Sequence, residues 1–512
     1  MKKITKVLVL EIILFVIVLS IGIGVRCYNF GEVPRGLHVD EAGMAYDAFS
    51  LANFKVDRHL KHLPVYLINF GGGQSALYAY LAAIIIKFLG ITTIAIRLPA
   101  LLCSAFSIIA VYFIARKPFG KKIAMILMFL WVINPWNIMA SRWGLDCNLL
   151  GPVSIISLWL LFRADKWYDY IVAGIGIGLV LYTYAISYII MPVFLILIIL
   201  YMLYTKRITF KNTIIFGLPT LILALPLILM VIINTFDLPE ISFLITIPKL
   251  GFYRGSEVGI GNVLDNISKI PMIFSEDGLS YNSIGKYGTV YYISIPFIIV
   301  GLVIEIINLI KNIKAKKFAV NSGIFIFLIA TFIGFLMTSS PCINKVNAMY
   351  FPLIFLVIST IRFLQEKINK KLFYIILTLI IILYGVSFAS FVNYYFNIYS
   401  VEFKYQNYFE DDLTNAIAIV NSKPELNSKK VNIMTWLVES YVYTLLVNQP
   451  SPYDFFETRQ EDRSWGRYVF NKEEIHEDWI YIIKDNGDYI YTLTTNYGFK
   501  CDYVGTYAIL YK

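Results

Sequence analysis

About eleven runs of apolar residues, each near the length that crosses a bilayer, divide the chain. They lie near residues 6–25, 94–115, 122–140, 149–163, 168–186, 188–205, 212–236, 289–311, 321–339, 344–363 and 371–391. A segment entering hydrocarbon has to satisfy its own backbone polar groups, so runs of this kind fold as helices in a bundle. Composition agrees: the 512 residues are 58% hydrophobic with a mean hydropathy of +0.67, outside the soluble range. The expected class is a polytopic α-helical membrane protein with about 11 transmembrane helices. The opening "MKKITKVLVLEIILFVIVLSIGIGV" has a charged head but no small-x-small cleavage site, so it reads as a retained first helix.

Basic residues cluster between alternate runs: Lys2, Lys3 and Lys6; Arg116, Lys117, Lys121 and Lys122; Arg163 and Lys166; Lys206, Arg207 and Lys211; Lys311, Lys314, Lys316 and Lys317; Arg362, Lys367, Lys370 and Lys371. The positive-inside rule puts these and the N-terminus in the cytoplasm. They account for the net charge of +10, and nucleic acid is not an expected partner. The segment "ALYAYLAAIIIKFLG" (76–90) is too short to span, and counting it as a crossing would expel "ARKPFGKK". It is expected to lie at the outer interface. The large outer connections are then 26–93, 141–148, 237–288 and 340–346 within a membrane domain of residues 1–391. Residues 392–512 also fall outside. Their helical pattern followed by "VNIMT", "WIYIIK" and "CDYVGTYAILYK" predicts a small extracytoplasmic α/β domain. The cysteines Cys27, Cys103, Cys147, Cys342 and Cys501 are scattered and form no disulfide or metal-knuckle pattern.

The outer connections carry the chemistry. "VPRGLHVDEAGMAYDAFSL" (33–51) sets Asp40, Glu41 and Asp47 beside membrane, on a predicted amphipathic interfacial helix with Asp40 at its N-cap. Read alone, the pair merely caps a helix and suits its dipole. A rigid turn before it, the nearby membrane surface and converging polar residues argue for more. "NPWNIMASRWGLDCNL" supplies Arg142 and Asp146. "ITIPKLGFYRGSEVG" supplies Lys249 and Arg254, which alone would be a solvated basic loop. "SSPCINKVNAMYFPL" supplies Lys345, which alone would snorkel, and Asn347. Carboxylates with several cations at headgroup depth suit a phosphate whose hydrophobic tail stays in the bilayer. His38, His59 and His62 match no zinc spacing and read as surface histidines, so no metal site is expected, although a divalent ion is an option the loop leaves open.

The order "GLHVDEAGMAYDAFSL", "GQSALYAYLAAIIIKFLG", "RLPALL", "NPWNIMASRWGLDCNLL" and "INKVNAMYFPLIF" resembles the bacterial branch of glycosyltransferase family 39, the protein O-mannosyltransferase and aminoarabinose-transferase group with the GT-C fold, over roughly residues 1 to 390. The resemblance implies an inverting transferase that moves a sugar from a polyprenyl-phosphate carrier to an acceptor outside the cytoplasm. With Lys249, Arg254, Arg142 and Lys345 available to meet the phosphate charge, no metal cofactor is required. The resemblance maps the base onto Asp40, the neighbouring acid onto Glu41 and the second-loop acid onto Asp146. Arg142, Lys249, Arg254, Lys345, Asn347, Gln74 and Tyr46 are the candidate substrate contacts. The chain departs from the pattern at "GGGQSALY", where Gln74 stands in place of a His or Lys. Partners expected are the lipid-linked donor, an unidentified acceptor and membrane lipid. The competing classes are a polyprenyl-lipid transporter, against which the apolar middle of the spans argues, and a non-catalytic envelope scaffold.

Overall fold

A computed structural model of the chain describes residues 2–253, 255, 259–402, 408–484 and 486–512. The first part runs α1 (Lys2–Cys27), α2 (Val39–Phe54), α3 (Leu77–Leu89), α4 (Thr93–Phe119), α5 (Lys121–Val132), α6 (Pro135–Ala140), α7 (Leu150–Arg163), α8 (Trp167–Leu181), α9 (Ser187–Tyr204) and α10 (Phe210–Thr235). A long connection containing α11 (Val263–Ser268) leads to α12 (Ile295–Lys314), α13 (Val320–Met337), α14 (Ile343–Val346), α15 (Tyr350–Lys367) and α16 (Lys370–Asn397). All eleven expected runs are therefore helical. Among the described residues, eight helical stretches are long and apolar enough to cross a membrane. The expected count of eleven overreaches by this measure, because α5, α7 and α8 have only 12, 14 and 15 residues. The run predicted over 122–140 breaks at Asn134, whose side chain caps α6, and the run before α7 is a short 3-10 turn, Asp146–Leu149.

Helix starts follow local chemistry. Thr92, Thr209 and Asn369 accept hydrogen bonds from the backbone amides of Ala95, Asn212 and Leu372 at 3.1, 3.2 and 2.9 Å, opening α4, α10 and α16. Where helices pack closest, glycine is required. A Cβ at Gly174 of α8 would stand 2.2 Å from the Phe216 carbonyl oxygen of α10, and one at Gly301 of α12 would stand 2.1 Å from that of Leu356 in α15. The helical stretch containing α15 is central, 89% buried, whereas those of α1 and α16 are 11% and 17% buried and turn their apolar side chains outward.

Two small hairpins lie in the connections between helices: β1 (Tyr66–Leu67) with β2 (Gln74–Ser75), and β3 (Ile241–Ser242) with β4 (Thr246–Ile247). The C-terminal region is α/β. Strands β5 (Val431–Met434), β6 (Tyr468–Phe470), β7 (Ile480–Lys484), β8 (Lys500–Val504) and β9 (Tyr507–Tyr511) form one sheet in the order β6-β5-β7-β9-β8. β5 is parallel to both its neighbours, and β9 is antiparallel to β7 and β8.

This region shares a core with the connection between α1 and α4. Leu413, Val442, Leu445 and Ile433 pack in one cluster with Ala42, Met44 and Ala45 of α2 and Tyr78 and Ala79 of α3. The expectation of an amphipathic helix lying in the interface is corrected: α3 and the helix Tyr441–Asn448 cover α2, and ten of its residues from Glu41 to Leu51 are buried. The turn before α2 is clamped as well. Glu410 donates its amide to the Leu37 carbonyl at 3.0 Å, Tyr443 donates its hydroxyl to the same oxygen at 2.9 Å, and Arg35 pairs with Asp411 at 2.7 Å. Gly36, at φ +81°, lies so close that a Cβ would meet the Asp411 amide nitrogen at 2.5 Å.

Candidate functional site

The N-cap of α2 is His38, not Asp40. The His38 ring nitrogen Nδ1 accepts the Asp40 amide at 3.2 Å, while the His38 amide donates to Glu41 at 3.3 Å, closing a capping box. That frees the Asp40 carboxylate from capping. Its side chain is 35% exposed, takes a hydrogen bond from Asn69 Nδ2 at 3.3 Å and lies 3.6 Å from His38 Nδ1.

Glu41 next to it is fully buried and saturated. Arg97 donates to both its oxygens at 2.8 and 3.0 Å, and the Gly144 amide adds a bond of 2.6 Å. Arg97 also donates to the carbonyls of Pro34 and Gly36 at 2.7 and 2.5 Å, so one guanidinium ties α4 to the turn before α2. The catalytic expectation for Glu41 is corrected on this ground: neither oxygen is left for a substrate proton.

Asp146 is 5% exposed at the start of its 3-10 turn and accepts the amides of Ser75 and Cys147 at 3.0 and 2.8 Å. Burial pushes its carboxyl up to about 7, and the Asp40 charge pushes the same way against the two amides and the Gln74 side chain. Gln74 in β2 is buried beside it, and its Oε1 has no hydrogen-bond partner. Asp40, Asp146 and Gln74 are thus gathered at one place.

Several other expected contacts are drawn elsewhere. Arg142 is fully buried and spends its guanidinium on the carbonyls of Val25, Arg26, Tyr28, Asn29 and Val33, so it fastens the end of α1 and cannot grip a phosphate. Tyr46 donates its hydroxyl to the Pro450 carbonyl at 2.9 Å and anchors the C-terminal region instead of a substrate. Asn347 donates to the Cys147 carbonyl at 2.5 Å, leaving a buried Oδ1 without a partner. Lys249, 42% exposed, pairs with Asp237 at 2.8 Å. Arg254 lies outside the described residues.

Lys345 donates to the Ser339 carbonyl at 2.9 Å. Its charge reaches the Cys342 thiol, which burial holds above its ordinary range. Lys345 stands on α14, which packs against the turn Asp146–Leu149.

The residues behind Asp40 carry no local signal of their role. Arg58 is fully buried, donates through Nη2 to Asn69 Oδ1 and lies 3.4 Å from Asp47. On the other side, His38, Trp143, Tyr281 and Phe409 form an aromatic wall, with His38 ring centroids 5.6, 5.1 and 6.0 Å from the other three. His38 is only 11% exposed, which corrects its reading as a surface histidine. His59 is partly buried against Arg459, and burial together with Arg58 pushes its ring down to about 3; His62 is exposed. Among the described residues no group of three or more His, Cys, Asp or Glu side chains is placed to hold a metal ion.

A family described as dolichyl-phosphate-mannose-protein mannosyltransferase matches residues 74–233, which include α3, the Asp146 turn and α4 to α10. No curated protein matches the sequence. Among solved structures, ArnT from Cupriavidus metallidurans in the apo state is 11% identical, with 99% of this chain and 98% of that chain covered and a TM-score of 0.55. The same protein bound to undecaprenyl phosphate gives 12%, 99%, 98% and 0.54. The Archaeoglobus fulgidus oligosaccharyltransferase in complex with Zn and sulfate is 14% identical over 85% of this chain and 61% of that one, at 0.54. The likeness extends across the wider class and does not single out family 39. The chain has the fold of the GT-C membrane glycosyltransferases.

Proposed function

We propose that the protein is an inverting glycosyltransferase that moves a sugar from a polyprenyl-phosphate carrier to an acceptor hydroxyl on the outer face of the membrane. The observation that carries this reading is the contrast among three acids in one place. Asp40 is 35% open while Glu41 and Asp146 are 0% and 5% exposed and bonded to protein. A poor nucleophile needs one positioned base, and Asp40 is the acid with a free approach. That ArnT has been seen bound to undecaprenyl phosphate supports a polyprenyl-phosphate donor.

In the reaction the acceptor oxygen attacks C1 of the sugar and its proton passes to Asp40. The bond from C1 to the phosphate oxygen breaks, and its electron pair leaves with the polyprenyl phosphate. The charge growing there is met by Lys345, with Lys249 and Arg254 as further candidates from the long outer connection. Among the described residues no set of side chains is assembled to hold a metal ion.

Gln74 Oε1, buried and unpartnered beside Asp146, is placed to accept a hydrogen bond from a sugar hydroxyl. Asp146 holds β2 and thereby Gln74; Glu41 and Arg142 hold the frame. The C-terminal domain, reaching the aromatic wall through Phe409, is assigned acceptor recognition. Mass spectrometry of surface glycans and glycoproteins, from cells with and without the gene, tests the reading. A glycan lacking one sugar in the mutant is expected, and identical profiles under expressing conditions would overturn it.

A further inference from the structure

The opposite end of the bundle holds a cavity of about 920 Å³. It is lined by the C-terminal ends of α4, α7, α12 and α15 and the start of α13. Asp146 stands just before α7 and Lys345 just before α15, so these helices of 14 and 18 residues hold the two sites apart. At 1.5 Å per residue that is roughly 20–27 Å. By charge distribution the cavity faces the cytoplasm.

Seven Lys and Arg side chains line it, against three acids. Some are engaged: Arg362 with Glu366 at 3.1 Å, and Arg207 with the carbonyls of Phe162 and Ala164 at 3.3 and 2.5 Å. The Nζ groups of Lys117, Lys311 and Lys317 have no hydrogen bond or ion pair among the described residues. The one buried acid, Glu305 at 2% exposure, has its oxygens taken by the Asn308 and Asn321 amides at 3.3 and 2.7 Å. Beside this polar rim the wall is apolar. Phe113, Ile307 and Phe363 are 40%, 45% and 39% exposed on helix faces that continue outward.

We propose that this cavity binds the phosphate headgroup of an anionic phospholipid from the cytoplasmic leaflet. The phosphate meets Lys117, Lys311 and Lys317, and the acyl chains leave along Phe113, Ile307 and Phe363. A free phosphate would satisfy the cations but leave the apolar wall uncovered, which is why a lipid is the better occupant.

Native mass spectrometry of the full chain, released from detergent with either phosphatidylglycerol or phosphatidylcholine added, tests this. Phosphatidylglycerol is expected to be retained in preference. Lys311→Gln and Lys317→Gln should each weaken retention about fivefold, the effect of one cation near a lipid phosphate. Lys371→Gln removes a charge from the same face outside the cavity and should leave retention unchanged. Equal retention of both lipids, an equal loss in Lys371→Gln, or displacement of the lipid by millimolar inorganic phosphate would each overturn the proposal.

Discussion

Asn69 donates from Nδ2 to Asp40 Oδ1 at 3.3 Å while its own Oδ1 accepts from the buried guanidinium of Arg58. One amide therefore links the most open acid of the site to a cation that solvent does not reach, and Asp47, two turns along α2, holds that cation from the other side. The arrangement fixes where Asp40 points. Asn69→Ala should lower kcat of the folded enzyme about 10- to 100-fold, the effect of losing one hydrogen bond to a charged group, with donor KM unchanged. A purely structural Asn69 would lower the melting temperature and the folded yield but leave kcat of the folded fraction intact.

Glu41 and Arg97 form a pair with no exposure on either side chain. Glu41→Gln keeps the shape but strands a buried cation, and breaking such a pair costs about 3–5 kcal/mol. The melting temperature in detergent should fall steeply. Replacing both partners by Met should recover much of the loss. Were Glu41→Gln as stable as the parent but inactive, Glu41 would belong to the chemistry after all.

Asp146 gives a pH dependence. Its folded-state carboxyl is raised to about 7 by burial, so folding favours the protonated form. The sign follows: that contribution is fully present below the ordinary carboxylate range, declines as pH rises and is lost above about 7. Asp146→Asn cannot ionise. Its melting temperature should therefore gain on that of the parent between pH 5 and pH 8, and parallel curves for the two would refute the assignment.

Lys345 stands on α14, which packs against the turn that carries Asp146. Lys345→Ala should weaken binding of a polyprenyl-phosphate sugar about tenfold or more, since a charge-assisted contact contributes roughly 1.5–3 kcal/mol. Titration calorimetry with the donor in detergent reads this directly. Unchanged affinity would move the phosphate towards Lys249 and Arg254.

Much of this architecture was legible because membrane helices announce themselves locally. Apolar length marks the eight long helices, while α5, α7 and α8 are shorter than the runs predicted for them. The alternating strands after residue 430 predicted the C-terminal sheet. What escaped the sequence is contact between distant residues: Arg97 with Glu41, Arg58 with Asn69, and Arg142 with five carbonyls at the end of α1. An arginine in an outer connection looks the same whether it binds substrate or ties the chain together. Sequence alone puts Arg142 in the first group, and its burial places it in the second. Sequence points to Asp40 as the N-cap because His38 is a rare cap, and only the geometry of His38 with the Asp40 amide reveals it. Tyr46 shows the same limit, since its partner Pro450 is 404 residues away.

The central claim is that Asp40 takes the acceptor's proton, and Asp40→Asn isolates it. His38 makes the cap, so the helix start stays intact and the melting temperature should change by no more than about 1 kcal/mol of stability implies. Transfer from a polyprenyl-phosphate sugar by the purified protein in liposomes, with a membrane extract as the acceptor source, should fall by about 10²–10⁴-fold, the range for a positioned general base. A folded Asp40→Asn protein that transfers sugar at near the parent rate would contradict the account.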